Sequence, residues 1–176
     1  MRIRSLIGGF TLAVVMAGAA QAQVPPTPAP DQVALLKSSD PKLAANKKLV
    51  FDMYRTIVNA GRADLAPQFF TEGYIQHNPN VISGRDALMA YIKKTRPARP
   101  IPPTISFPVI SIMAEGDMVM VATVSYEDDL EKPGTKFTTT HFDMYRIENG
   151  KVAEHWDNVP RSAAAQHKDP NVTNKP

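Results

Sequence analysis

Two acid/base groups stand two residues apart near the end of this chain, His141 and Asp143, inside the segment THFDMYRIENGKVAEHWDNVP. A carboxylate beside an imidazole is the side-chain pair best suited to moving protons near neutral pH. The segment reads as two strands joined at Asn149-Gly150, a dipeptide suited to the left-handed backbone of a two-residue hairpin turn. That turn pairs Glu148 with Lys151. Regular pairing then sets Asp143 opposite Trp156, His141 opposite Asn158 and Tyr145 opposite Glu154, all six on one face because strand side chains alternate. Carboxylate, imidazole and indole together would form the floor of a pocket. The alternative is an amphipathic hairpin with a solvated polar side, and a one-residue bulge would swap the partners along one strand.

A metal centre is the competing chemistry. His77, His141, His155, Asp143 and Asp157 are zinc or non-haem iron ligand types, and two His-x-Asp pairs are present. Regular register puts His141/Asp143 and His155/Asp157 on opposite faces, and there is neither cysteine nor His-x-x-x-His. No metal and no other cofactor is therefore expected. Gly-rich phosphate loops and nucleophile elbows are lacking too.

The elements that must carry these residues can be read upstream. Asp40-Pro41 is a cap followed by proline at the first helical position, and apolar residues at helical spacing run from Leu43 to Val58. A shorter helix over Ala63–Phe70 bends near Pro67. Tyr74–His77 is a short extended piece ending in the turn signal Asn78-Pro79-Asn80. Ser83-Gly84-Arg85-Asp86 has the form of a capping box before a helix over Ala87–Thr95, with Lys93 and Lys94 at its solvated C-terminal end. A Pro-rich loop over Arg96–Pro103 leads to strands at Thr104–Met113 and Met118–Tyr126, then the hairpin. Helices, one strand, a helix and a run of strands indicate an α+β fold with helices on one face of a sheet.

The ends differ from this body. Arg2 and Arg4, the apolar stretch Leu6–Ala20 and Ala20-Gln21-Ala22 read as a signal peptide over residues 1–22. Export, to a bacterial periplasm or beyond, is expected, with no membrane attachment after cleavage. Residues 23–40 read as a Pro-rich tether, disordered over 23–30, residues 41–166 as one domain and residues 167–176 as a flexible tail. The formal charge of +3 falls to +1 once Arg2 and Arg4 are gone, and no basic stripe with interleaved aromatics remains, so nucleic acid is not an expected partner.

Tyr74-Ile75-Gln76-His77-Asn78-Pro79 with Gly84 before a helix, His141-x-Asp143-x-x-Arg146, and Asn149-Gly150-Lys151-Val152-x-Glu154-His155-Trp156-Asp157 resemble the SnoaL-like polyketide cyclases of the nuclear-transport-factor-2-like superfamily. The resemblance spans about Asn46–Asn158. It implies a cone, a strongly curved antiparallel sheet wrapped around three helices with an internal apolar cavity, and homodimers through the outer sheet face. It also implies that Asp143 acts as acid/base in aldol-type ring closure, assisted by His141, with a dry pocket raising the carboxyl toward neutrality. Tyr54, His77, Asn78 and Trp156 would contact the ligand, a small, largely apolar, carbonyl-bearing molecule. The same pocket could serve cyclisation, isomerisation or dehydration, or only binding. A third reading is an interaction module that leaves its cavity unused, because fold alone does not select a function.

Overall fold

The computed structural model describes residues 24–160. The expected signal peptide and flexible tail lie outside the described residues. Helix α1 spans Pro41–Met53, and Asp40 caps it as expected, its Oδ1 accepting the N–H groups of Lys42 at 2.8 Å and Leu43 at 3.3 Å. The helix widens into π-type turns over Tyr54–Asn59. A 3-10 turn at Ala63–Leu65 and the short helix α2 (Ala66–Phe69) then lead into strand β1 (Phe70–Gln76). Helix α3 (Arg85–Thr95) follows. Strands β2 (Val109–Glu115), β3 (Met118–Asp128), β4 (Lys136–Glu148) and β5 (Lys151–Asp157) complete the chain.

The five strands form one sheet in the order β1-β5-β4-β3-β2. The sheet is mixed: β1 pairs parallel with β5, and the other pairings are antiparallel. Val50, Met53 and Ile57 from the first helical stretch and Ile92 from α3 are buried in one core with Val119, Val121, Tyr145 and Val152 of the sheet. The α+β class read from the order of elements is the class observed.

The capping box is not formed. Gly84 occupies the N-cap with φ 98° and no side-chain cap, while the Ser83 hydroxyl accepts the Gln76 N–H at 2.9 Å. The end of β1 thus takes the serine that the local pattern assigned to the helix. Within the described part of 23–40, two residues bond to the domain. Ala29 N–H donates to the Val109 carbonyl at 2.8 Å. The Gln32 amide both donates to the Ile105 carbonyl (3.0 Å) and accepts the Ile105 N–H (2.9 Å), standing in for a neighbouring peptide group. These three hydrogen bonds join the Pro-rich segment to the domain at Ala29 and Gln32.

The final hairpin turns where expected. Asn149 and Gly150 both have positive φ, 51° and 70°, and Glu148 pairs with Lys151. Beyond the turn the register departs from regular alternation. Ile147 pairs with Val152 but Arg146 pairs with Glu154, leaving Ala153 as an extra residue on β5. Both Val152 and Ala153 are buried, and every residue after them has changed face. Asp143 consequently pairs with Asp157, Met144 with Trp156 and Tyr145 with His155.

Candidate active site

Because of that bulge, the inner face carries His141, Asp143 and Tyr145 from β4 with His155 and Asp157 from β5. All five line a cavity of about 530 Å³ between the sheet and the helices. Its other walls are mostly apolar, including Met53, Ile57, Phe70 and Ile92. Concavity, apolar walls and a few converging polar groups are the usual makings of a small-molecule site.

Asp143 is the hub. The Tyr54 hydroxyl donates to its Oδ2 at 2.5 Å, while His155 Nε2 lies 2.8 Å and His141 Nε2 3.3 Å from Oδ1. Tyr145 in turn donates to the Tyr54 oxygen at 2.9 Å. Tyr54 reaches this place from the first of the wide π-type turns, an irregularity often found where a helix serves a site. Burial tends to raise the Asp143 carboxyl, yet hydrogen bonds from His141 and His155, the His155 charge and the Tyr54 hydroxyl outweigh it, so the group sits well below the usual carboxylate range. The expectation that a dry pocket raises this carboxyl is reversed, because the pocket is dry only apart from its donors. Burial, then the nearby Asp143 charge, push Tyr54 up, so its hydroxyl remains a donor.

The His155 ring can be assigned by counting donors and acceptors. Gln76 Oε1 accepts the Asn78 N–H at 3.0 Å, which fixes it as the oxygen, and it lies 2.7 Å from His155 Nδ1. Nδ1 must therefore donate. Nε2 lies 2.8 Å from the Asp143 carboxylate, so both ring nitrogens of His155 face oxygen acceptors. The ring stacks on Tyr145 with centroids 4.6 Å apart. His141 differs. It is half-buried, and the hydrogen bond to Asp143 raises it above its ordinary 6.5 against the opposing effect of burial. Its Nδ1 makes no hydrogen bond among the described residues.

Four of the six expected site residues, Tyr54, Asn78, His141 and Asp143, line the cavity. Asn78 donates to Asp157 Oδ2 at 2.5 Å. His77 and Trp156 do not line it: they stack on each other, centroids 4.7 Å apart, on the opposite sheet face, where Glu154 bonds His77 at 3.1 Å and Arg146 at 2.8 Å. We predict that Trp156→Ala changes the affinity for an enolisable ketone by less than about twofold in an NMR titration. A loss of about tenfold would instead put the indole in the cavity.

His155, Asp157, Gln76 and Arg96 are among the cavity groups that the site reading missed. Adjacent apolar residues at Val152-Ala153 were the available signal, since they break the alternation and mark a bulge. The same bulge removes the sequence-level reason for setting a metal aside. Ligand atoms of His141, Asp143 and Asp157 lie within 4.8 Å of one another and could gather around a cation. Gathering them would have to compete with the hydrogen bonds that Tyr54, His155 and Asn78 already make to the two carboxylates.

An α+β domain with an acid/base cluster at the floor of an apolar cavity matches a known family. The chain belongs to the SnoaL-like polyketide cyclases, whose sequence profile matches residues 48–167. No curated protein matches the sequence. Among solved structures, it is similar to TsrD from Streptomyces laurentii, at 21% identity over 68% of this chain and 90% of that one, with a TM-score of 0.45. It is similar to a candidate polyketide cyclase from Acidithiobacillus ferrooxidans at 16% identity over 69% and 89% of the two chains, TM-score 0.48. IdmH from Streptomyces antibioticus is similar at 19% identity over 64% of this chain and 89% of that one, with a TM-score of 0.44.

Proposed function

We propose that this protein is a cofactor-independent acid/base catalyst acting on a small, largely apolar carbonyl compound, with His141 carrying the proton and Asp143 holding the ring that carries it. The observation that supports this most is the saturation of Asp143 by three donors. A carboxylate so satisfied has little affinity for a further proton, whereas an imidazole raised above 6.5 is matched to chemistry near neutral pH. The carboxylate favours the tautomer with the proton on Nε2 and leaves Nδ1 to take a proton from the carbon next to a carbonyl. The imidazolium then returns a proton to oxygen or carbon. Ring closure by aldol addition, isomerisation and dehydration all begin with that step.

Deuterium exchange into enolisable ketones, followed by NMR, tests the reading. Abstraction needs neutral His141, so exchange should rise with pH through a titration above 6.5 and level off once the ring is neutral. His141→Gln should lower the plateau by about 10²–10⁴-fold and remove the pH-dependent limb. Wild-type exchange no faster than buffer would sink the reading. The linked stability runs the other way: the His141–Asp143 contact stabilises fully below about 6.5 and is lost as pH rises through the raised value of the folded protein.

Binding without turnover is the second reading. It is favoured by the same saturation, since Tyr54, His155 and Asp143 form a closed network that needs no substrate to complete it. Ligand line-broadening without exchange would select it.

A further inference from the structure

One cavity residue has no part in the proton chemistry. Arg96 follows the last residue of α3 and lines the cavity, half-buried, from the end of a helix rather than from the sheet that carries His141 and Asp143. Among the lining residues it is the one permanent cation. Its guanidinium lies over the Tyr91 ring, 6.0 Å from the centroid, and no carboxylate pairs with it among the described residues. Three other arginines are paired with acids, Arg55 with Asp52, Arg62 with Asp64 and Arg146 with Glu148 and Glu154, and none of these three lines the cavity. An arginine kept free of acids and set on an aromatic face retains the planar fork that suits a carboxylate.

The backbone beneath it is held closely. Arg96 N–H closes α3 on the Ile92 carbonyl at 2.8 Å, and Arg99 N–H donates to the Ala60 carbonyl at 2.8 Å. Gly61, at φ +63°, allows this approach, since a Cβ there would lie 2.8 Å from the Arg96 carbonyl oxygen and 2.9 Å from that of Pro97. The cation is therefore placed by a fixed turn rather than by a loose loop.

We infer that the cavity recognises a keto acid: Arg96 takes the carboxylate at one end while the carbonyl end faces His141 and Asp143. The inference rests on the proton-transfer reading for the orientation of the carbonyl end, though not for the anion site itself. A cavity of about 530 Å³ has room for both ends of such a molecule with an apolar body between them. The acidic floor, Asp143 with Asp157, disfavours a carboxylate there and so sets the direction in which the molecule enters.

The test compares 4-oxo-4-phenylbutanoate with its methyl ester, two probes alike except for charge, by NMR titration and by deuterium exchange at the carbon beside the ketone. Wild type should bind the acid about tenfold more tightly than the ester, and raised salt should shrink the difference. Arg96→Gln should bring the ratio of the two affinities to about one, and Arg96→Lys should restore part of it. Acid and ester bound equally by wild type, no binding of the acid, or a preference that survives in Arg96→Gln would each overturn the inference. Preference for the acid without exchange on either probe would leave the anion site standing and remove the proton-transfer reading. Exchange on both probes at equal affinity would do the reverse.

Discussion

Asp143→Asn is expected to slow deuterium exchange by about 10²–10⁴-fold and to cost about 2–4 kcal/mol of stability. Both effects follow from the three donors around one carboxylate. The amide keeps an oxygen for one or two of them but turns its NH₂ toward another donor. His155 then loses the anion that faces its Nε2, and His141 loses the acceptor that sets its tautomer. Exchange under conditions where the variant is folded measures the first effect, and urea denaturation measures the second. The pH dependence separates charge from shape. Asp143 is depressed in the folded protein, so its contribution is complete above about 3.8 and is lost as pH falls toward the lower folded value. The variant should lack that part of the acid-side loss. A variant as stable and as active as wild type would show that the carboxylate is a bystander.

The second large effect lies away from the acid/base cluster. Gly61→Ala should destabilise the protein by about 3 kcal/mol, from a left-handed φ and a Cβ driven against two carbonyl oxygens. Both obstacles are backbone atoms, so a side-chain rotation cannot relieve them. The turn that seats Arg96 would have to move instead. The variant should therefore lose preference for keto acid over ester although residue 61 does not line the cavity. Urea melts and the two-probe titration read these outcomes. A change of under about 0.5 kcal/mol would mean that the turn yields easily.

Local chemistry made much of this architecture legible. Asp40-Pro41 announced the first helix, Asn149-Gly150 announced the hairpin, and the order of elements gave the α+β class. Asn78 and Asp143 were placed on the cavity by their resemblance to family motifs, His141 by sharing a strand face with Asp143, and Tyr54 by its position on the first helix. The departures arose where a distant partner competed with a local one. Ser83 was taken by β1, Gln32 found Ile105 across 73 residues, and Tyr54 reached Asp143 across 89. The protonation of Asp143 depends on such distant donors, so spacing along β4 could not give its direction.

The bulge at Ala153 has a consequence for descent as well as for shape. Downstream of it, β5 can be spelled inward in two ways: His155 with Asp157, or Glu154 with Trp156. Insertion or loss of one residue exchanges one spelling for the other without altering any letter. A lineage built on this hairpin could thus trade a proton-handling floor for an aromatic one in a single genetic event, with its turn and its neighbouring strand unchanged.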